Sequence, residues 1–119
     1  MSKNPPPGWH TLTPRMFVED PKGLVNFIKQ VFNAKGNYDP NKPSQIRLGD
    51  SMLMISGIEF RSTQTACLYV YIDNVDAIYK EAIRLGATSI EQPQLTHYGD
   101  WRCIIEDQWH NTWQIAEQQ

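Results

Sequence analysis

The feature that most constrains this chain is an internal repeat, in which a short β-like run leads into an amphipathic helical pattern. Each copy contains a residue type that caps helix N-termini, Asp20 in the first copy and Asn74 in the second. Each copy also ends on a residue type that tolerates the left-handed conformation of a helix end, Asn33 and then Gly86. Nearly the same number of residues separates the two caps as separates the two stops, which indicates a duplicated unit.

The helical part of each copy presents one apolar face. Apolar residues recur at or near the i, i+3, i+4 and i+7 spacing of a helix, namely Leu24, Phe27, Ile28 and Val31 in the first copy and Val75, Ile78, Ala82 and Leu85 in the second. Pro21 favours the first helical position, because an amide hydrogen has no intrahelical acceptor there. We expect the side chains of Asp20 and Asn74 to accept hydrogen bonds from the free amides of the two first turns.

Further β-like runs follow each helical pattern. In the first copy they lie near residues 35–38, 45–48 and 51–55, and in the second near residues 88–90, 101–105 and 112–115. Residues 57–64 are expected to form the loop between the copies. Each half is therefore a β-α-β-β-β module.

The two modules need each other, because one helix covers only one face of a small sheet. We predict an α+β fold in which residues 1–119 form a single domain. Its parts are a first module at residues 10–57, a second module at residues 65–117 and a Pro-rich N-terminal segment at residues 1–9.

The charge and hydropathy of the chain argue against nucleic-acid and membrane partners. The 11 Lys and Arg residues nearly balance the 13 Asp and Glu residues, for a formal net charge of −2, and no basic stripe is present to follow phosphates. No apolar run reaches the roughly 18 residues that a membrane-spanning helix needs. The N-terminus lacks the apolar core of a signal peptide, so we expect a cytoplasmic protein. Cys67 and Cys103 lie in β-like runs and are expected to be buried, unpaired thiols.

Several stretches of the repeat resemble a known superfamily. They are Phe17-Val18-Glu19-Asp20, Leu48-Gly49-Asp50-Ser51-Met52-Leu53-Met54, Val70-Tyr71-Ile72-Asp73-Asn74-Val75-Asp76-Ala77, and the ending Tyr98-Gly99-Asp100-Trp101 with Asp107-Gln108-Trp109-His110-Asn111-Thr112-Trp113. On these residues the chain, over roughly positions 10–117, resembles the vicinal-oxygen-chelate superfamily of glyoxalases, bleomycin-resistance proteins and extradiol dioxygenases. The ending is similar to a G-D … D-P-F-G-H-x-W pattern of small glyoxalase-like members, with Gln108 and His110 in place of its Pro and Gly. We expect His110 or Asn111 to be the left-handed residue of that turn.

The resemblance implies a curled mixed sheet that forms a cup, with the helices on its outer face and four inward side chains holding a divalent metal. Those four positions carry Thr13, Met54, Cys67 and Gln114. Only Gln114 offers a usual oxygen ligand for a hard divalent ion. We therefore expect no bound metal, no other cofactor and no catalytic residue in the cup.

Strand alternation separates two sets of side chains. The set expected to pack under the helices is Pro14, Met16, Val18, Leu53, Ile55, Leu68, Val70, Ile72, Trp113 and Ile115. The opposite face, which the resemblance makes the inside of the cup, supplies the predicted ligand-binding residues Thr13, Arg15, Phe17, Met52, Met54, Cys67, Tyr69, Tyr71, Trp101 and Gln114. Aromatic and sulfur side chains with a few polar groups suit a flat or amphipathic small molecule. Arg15 could pair with an anionic substituent, and Gln114 could orient an amide or a hydroxyl.

Two functional hypotheses remain, and they belong to different classes. The favoured one is a metal-free small-molecule-binding protein similar to the bleomycin-resistance branch, acting as the homodimer that the resemblance implies. The alternative is a metal-dependent lyase, isomerase or dioxygenase with an unconventional site. The cup face disfavours it, because no paired carboxylates and no histidine with a carboxylate partner are expected there. We expect His10, His97 and His110 in loops or at the surface, with His97 nearest the mouth of the cup. A purely structural or protein-binding role would require a cup filled by its own side chains.

Overall fold

The computed structural model describes residues 3–59 and 61–119. The chain divides into two compact units, residues 1–64 and residues 65–119, and each contains one helix and one four-stranded mixed sheet. The predicted α+β class and the two β-α-β-β-β modules are confirmed. The single domain and the cup stay predictions. Among the described residues, no helix combines the length and the apolar character needed to cross a membrane.

The first unit follows the expected element order. Its elements are β1 (Arg15–Phe17), α1 (Pro21–Phe32), β2 (Lys35–Gly36), β3 (Ser44–Leu48) and β4 (Ser51–Ser56). The strand order in the sheet is β1-β4-β3-β2. The β1–β4 pair is parallel and the other two pairs are antiparallel, so the chain segment containing α1 connects two parallel strands.

The second unit repeats this topology. Its elements are β5 (Cys67–Tyr71), α2 (Val75–Arg84), β6 (Thr88–Leu95), β7 (Asp100–Glu106) and β8 (Thr112–Gln118). The strand order is β5-β8-β7-β6, with β5 and β8 parallel. Strand β6 is longer than the three residues expected from sequence, because it pairs with most of β7 through two register irregularities between Ser89 and Gln94.

Helix α1 begins and ends as its sequence predicts. Asp20 Oδ1 accepts a hydrogen bond of 3.1 Å from the Gly23 amide, and Pro21 occupies the first turn. Asn33 has φ 55° at the C-terminal end, in the left-handed region. The apolar face of the helix is buried and contacts β3 and β4. Local sequence signals therefore determine both ends of this helix.

Helix α2 ends as predicted but begins differently. Gly86 follows the helix with φ 101°, as expected of a glycine stop. The prediction that the Asn74 side chain caps the first turn was wrong, because that side chain makes no capping hydrogen bond. Asn74 itself has φ 69°, whereas a side-chain cap typically needs an extended backbone. The Val75 amide donates instead to Glu117 Oε1 on β8, at 2.8 Å.

The turn between β7 and β8 is organised around the buried carboxylate of Asp107, which is 3 % exposed. It accepts hydrogen bonds from the backbone amides of Trp109 and Asn111 and from the Trp113 indole nitrogen. His110 has φ 73°, so of the two residues left open by the sequence it is His110 that takes the left-handed conformation. Asn111 is fully buried and does not have a positive φ; its side-chain amide donates a hydrogen bond to Asp107 Oδ2.

Candidate functional site

Strand register places the predicted residues of the first unit on one side of its sheet. Arg15 on β1 pairs with Met54 on β4, and Phe17 pairs with Ser56. Neighbours in register share a face, so these side chains lie opposite the apolar pair Met16 and Ile55, which belongs to the core packed under α1. We call the face away from the helix the open face of each sheet. Met52 and Met54, alternating with buried Leu53, lie on this open face as predicted.

The open face of the second sheet contains most of its predicted residues. Cys67 pairs with Thr112, Tyr69 with Gln114 and Tyr71 with Ala116. The intervening residues of β5 pair with Trp113 and Ile115, which are fully buried on the helix side. Cys67, Tyr69, Tyr71 and Gln114 therefore share one face, in agreement with the alternation of the sequence.

Trp101 is the exception, and its predicted place on the open face was wrong. It pairs in register with Glu117, whose carboxylate binds the first turn of α2. The Trp101 indole nitrogen also donates to Asp76 Oδ1 of α2, at 2.8 Å. Trp101 therefore lies on the helix side of the sheet. Asp100 and Arg102, which flank Trp101 in β7, lie on the open face with Tyr71.

A buried carboxylate holds the two tyrosines of the open face. Asp100 is 4 % exposed, and its Oδ2 accepts hydrogen bonds from the Tyr69 hydroxyl at 2.7 Å and the Tyr71 hydroxyl at 2.8 Å. The two ring centroids lie 5.3 Å apart with an interplanar angle of 55°. The tyrosines themselves remain 39 % and 64 % exposed, so their rings form a platform fixed from below by Asp100.

The same contacts raise the pKa of both tyrosines. Burial of the Tyr69 hydroxyl is the largest cause of its raised pKa, followed by its hydrogen bonds to Tyr98 and Asp100. For Tyr71, the hydrogen bond to Asp100 is the main cause of the raised pKa. Both hydroxyls therefore stay protonated at neutral pH and serve as hydrogen-bond donors, not as bases.

The platform continues into a chain of hydrogen bonds that sequence reasoning did not find. Tyr98 and Tyr69 hydroxyls lie 3.0 Å apart, and because Tyr69 donates to Asp100, Tyr98 must donate to Tyr69. Arg102 Nη1 donates to the Tyr98 hydroxyl at 2.8 Å, and Glu91 forms an ion pair with Arg102 at 3.1 Å. The available signal was the Tyr98-Gly99-Asp100 stretch of the superfamily pattern, which says nothing about these partners.

The first unit contains a cavity of about 650 Å³ at which the N-terminal segment meets the sheet. Its wall includes Pro5, Pro6, Trp9, Thr13, Gln45 and Met54. Arg47 Nη2 donates to the Gly8 carbonyl at 3.1 Å, and the His10 ring donates to the Asp50 carbonyl at 2.8 Å. These bonds attach the segment to the β3–β4 hairpin. The Pro-rich segment is therefore a wall of the cavity, which its composition alone did not indicate.

Phe17 is covered by two arginines. The ring is only 7 % exposed, with the guanidinium carbon of Arg15 at 4.6 Å from its centroid and that of Arg61 at 5.9 Å. A pocket of about 200 Å³ lies beside these side chains, separate from the N-terminal cavity. Phe17 is thus on the predicted face, but the guanidinium groups are the parts exposed to a ligand.

The histidines and cysteines follow the sequence expectations only in part. All three histidines are exposed. His110 Nδ1 lies 3.1 Å from Glu106 Oε2 at the turn between β7 and β8, where both side chains are exposed to solvent. Cys103 is a buried free thiol, and burial raises its pKa to about 12. Cys67 is free but exposed, so its predicted burial was wrong.

Solved structures with this topology cover nearly the whole chain. A glyoxalase/bleomycin resistance protein/dioxygenase family enzyme from Burkholderia phytofirmans PsJN matches with a TM-score of 0.77 and 23 % identity, over 88 % of this chain and 95 % of that chain. TioX from Micromonospora sp. ML1 matches with a TM-score of 0.77 and 14 % identity, over 91 % and 98 % of the two chains. The chain has the fold of the glyoxalase/bleomycin resistance protein/dioxygenase superfamily. The resemblance inferred from sequence is thereby confirmed at the level of fold.

A glyoxalase-related enzyme from Fulvimarina pelagi extends this agreement, with a TM-score of 0.75 and 11 % identity over 91 % of this chain and 87 % of that chain. No protein-family model and no curated protein sequence matches the chain. The similarity to the glyoxalase/bleomycin resistance superfamily therefore rests on backbone geometry, which carries no information about the chemistry of the site.

The four residues that the sequence resemblance assigns to metal-ligand positions do not form a set that suits a hard divalent ion. Thr13 and Met54 line the N-terminal cavity, while Cys67 and Gln114 lie on the open face of the second sheet. Thr and Met are poor ligands for such ions, and Cys prefers softer ones. Within residues 3–59 and 61–119, no three His, Cys, Asp or Glu side chains are grouped so that they could hold a metal. We derive no metal-dependent step for this chain.

Proposed function

We propose that this chain is a metal-free small-molecule-binding protein of the glyoxalase/bleomycin resistance superfamily, and that its ligand binds in the N-terminal cavity. The observation that carries the proposal is the cavity itself, about 650 Å³ in volume, with Thr13 and Met54 in its wall. This volume lies within the range of roughly 300–1,000 Å³ that is usual for small-molecule sites. Thr13 and Met54, which the resemblance assigns to metal-ligand positions, thus line this cavity together with apolar and polar side chains.

The wall chemistry favours a planar, amphipathic ligand. Pro5, Pro6 and Trp9 offer flat apolar surfaces, and the thioether of Met54 adapts to irregular shapes. Thr13 and Gln45 add hydroxyl and amide groups that can orient a polar substituent. Such a combination suits binding by burial and stacking.

The platform formed by Tyr69 and Tyr71 is proposed as a second aromatic contact surface. Its rings are exposed while its hydroxyls are held by Asp100. Because the two tyrosine side chains are already ordered, they would lose little conformational entropy when a ligand stacks on them. We also propose that the protein acts as a cytoplasmic homodimer, which the resemblance to small members of the superfamily supports.

A cavity-filling substitution tests the proposed site. In the Thr13→Trp variant the larger side chain should occupy the cavity, and Leu12→Trp is the matched control because Leu12 is 78 % exposed. With the neutral planar probe 2-naphthol, titrated by its fluorescence, we expect Thr13→Trp to weaken binding at least about tenfold and Leu12→Trp to leave it unchanged. Circular dichroism of both variants checks that they fold.

Two results would contradict the proposal. One is equal 2-naphthol affinity for Thr13→Trp and the wild-type protein. The other concerns the alternative function, a metal-dependent lyase, isomerase or dioxygenase. Stoichiometric Ni, Zn, Mn or Fe in the purified protein, lost in the Gln114→Ala variant, would favour that alternative. The tyrosines on Asp100 do not favour it, since their raised pKa values keep both hydroxyls protonated and hydrogen-bonded to Asp100.

A further inference from the structure

We infer that the first unit carries a second binding site, in which Arg15 and Arg61 bind an oxyanion, a carboxylate or a phosphate group. The site is the pocket of about 200 Å³ beside Phe17, which is distinct from the N-terminal cavity. Both arginines line it, together with Ser56 and Lys42. The inference concerns a different pocket from the proposed small-molecule site and does not depend on it.

Among the described residues, neither guanidinium group has an anionic partner in an ion pair. Within residues 3–59 and 61–119, the ion pairs are Glu81 with Arg84, Glu91 with Arg102 and Glu106 with His110, all in the second unit. The neutral Ser56 hydroxyl accepts a hydrogen bond of 3.3 Å from Arg15 Nη2. No carboxylate of the described residues therefore lies within 4 Å of Arg15 or Arg61.

Both guanidinium groups lie beside the Phe17 ring, and the only side-chain hydrogen bond that either makes among the described residues is the one from Arg15 to Ser56. A guanidinium within about 6 Å of an aromatic centroid is attracted to the ring, and the guanidinium carbons lie at 4.6 Å for Arg15 and 5.9 Å for Arg61. Its N–H groups lie in the plane of the guanidinium and point outward, in a fork that matches the two oxygens of a carboxylate or phosphate. Phe17 is thus a positioning residue, and the ligand contacts the arginines.

The charge and size of the pocket agree with an oxyanion. Three cations, Arg15, Lys42 and Arg61, line it against two acids, Asp39 and Glu59, which leaves one positive charge in a chain whose net charge is −2. Asp39 Oδ1 also accepts a hydrogen bond from the Asn41 amide. A volume of about 200 Å³ is smaller than usual drug-sized pockets, so it suits a small acid or one acidic group of a larger ligand.

Anion titrations with charge-matched variants test this site. We would titrate the protein at low salt with 4-fluorobenzoate, followed by fluorine NMR, and separately with inorganic phosphate, followed by calorimetry. Arg15→Gln and Arg61→Gln should each weaken binding about tenfold, because each removes a positive charge and charge-assisted hydrogen bonds to the anion. Arg84→Gln removes the same charge from the second unit and should bind as the wild-type protein does.

Further variants separate the parts of the inference. Glu59→Gln should strengthen binding of both anions, because it removes a negative charge from the pocket lining. Phe17→Leu should weaken binding of both anions, whereas Phe17→Tyr should bind them as the wild-type protein does. Only the tyrosine keeps an aromatic ring beside the guanidinium groups of Arg15 and Arg61. A preference for fluorobenzoate over phosphate would assign the site to organic acids, and the reverse preference would assign it to phosphate groups.

The inference fails if the wild-type protein binds neither anion, or if Arg15→Gln and Arg61→Gln bind both anions as well as Arg84→Gln does. The Thr13→Trp variant keeps the two proposals apart. This variant should lose affinity for 2-naphthol and keep its affinity for both anions, because Thr13 lines only the N-terminal cavity. Failure of the proposed cavity site would therefore leave the anion titrations unchanged, and failure of the anion site would leave the 2-naphthol titrations unchanged.

Discussion

At the scale of single residues, two buried aspartates of the second unit have different tasks. Asp107 is surrounded by donors from its own turn and from the indole of the fully buried Trp113. Asp100 receives hydroxyls from the exposed tyrosines of the open face. The first carboxylate stabilises the fold, whereas the second orients side chains at a surface available to a ligand.

The role of Asp107 predicts a large effect from a small chemical change. Asp107→Asn keeps the shape of the side chain but replaces an acceptor oxygen with a donor amide among three or more donors. We expect the free energy of unfolding to fall by about 3 kcal/mol, measured by urea denaturation. Glu106→Gln is the control, because its partner His110 is exposed, and it should cost less than about 1 kcal/mol. Equal losses in the two variants would contradict this role for Asp107.

At the scale of secondary-structure elements, the two helices occupy corresponding positions and begin in different ways. The first turn of α1 is capped by Asp20, three residues from the amide it binds. The first turn of α2 is capped by Glu117 of β8, which lies 42 residues further along the chain than the Val75 amide that it accepts from. The capping contact of α1 could therefore be predicted from neighbouring residues. That of α2 could not, because the carboxylate that accepts from its first turn is distant in sequence.

This difference predicts opposite effects of two substitutions at the start of α2. Glu117→Ala removes the acceptor of the Val75 amide and should lower the free energy of unfolding by about 1 kcal/mol. Asn74→Gly should be neutral or stabilising, because glycine accepts φ 69° without steric cost. Chemical denaturation of both variants provides the measurement, and a destabilised Asn74→Gly with an unchanged Glu117→Ala would restore Asn74 as the cap.

At the scale of the whole molecule, the raised tyrosine pKa values connect the platform to global stability. Tyr69 and Tyr71 have pKa values above the ordinary 10.0 when folded, because burial and Asp100 favour the protonated hydroxyl. Their contribution is fully present below about pH 10, the pKa of tyrosine in the unfolded chain. It is lost as the pH rises toward the folded pKa, because the unfolded state then releases protons that the folded state retains.

We therefore expect the free energy of unfolding to decrease between pH 9 and pH 11, and to decrease less steeply in the Tyr69→Phe variant. Cys103, with its pKa raised to about 12, also lowers the free energy of unfolding as the pH rises. This contribution is the same in the wild-type protein and in Tyr69→Phe, so it cancels when the two are compared. Urea denaturation at several pH values gives the two slopes. Parallel slopes for wild type and Tyr69→Phe would mean that burial and the hydrogen bonds to Tyr98 and Asp100 do not raise the pKa of Tyr69.

The sequence by itself determined the features that depend on local patterns. Period-2 alternation put Arg15, Met54, Tyr69 and Gln114 on the open faces, and cap and stop residues located the ends of α1 and the end of α2. The repeat then aligned the two modules, and with the resemblance it predicted that the metal-ligand positions hold Thr13, Met54, Cys67 and Gln114. Trp101 could also have been placed correctly, because in the period-2 pattern of β7 it falls on the same side as the apolar Cys103 and Ile105 and opposite Asp100 and Arg102.

Only the tertiary structure decided which distant groups meet. The covering of Phe17 by Arg61, the capping of α2 by Glu117 and the binding of two tyrosines by Asp100 all join residues far apart in the chain. The physical reason is that alternation and capping depend on backbone geometry over a few residues, whereas these contacts depend on strand pairing and side-chain packing across a whole module. The repeat therefore fixed the scaffold of this protein, and the long-range packing chose which side chains a ligand can reach.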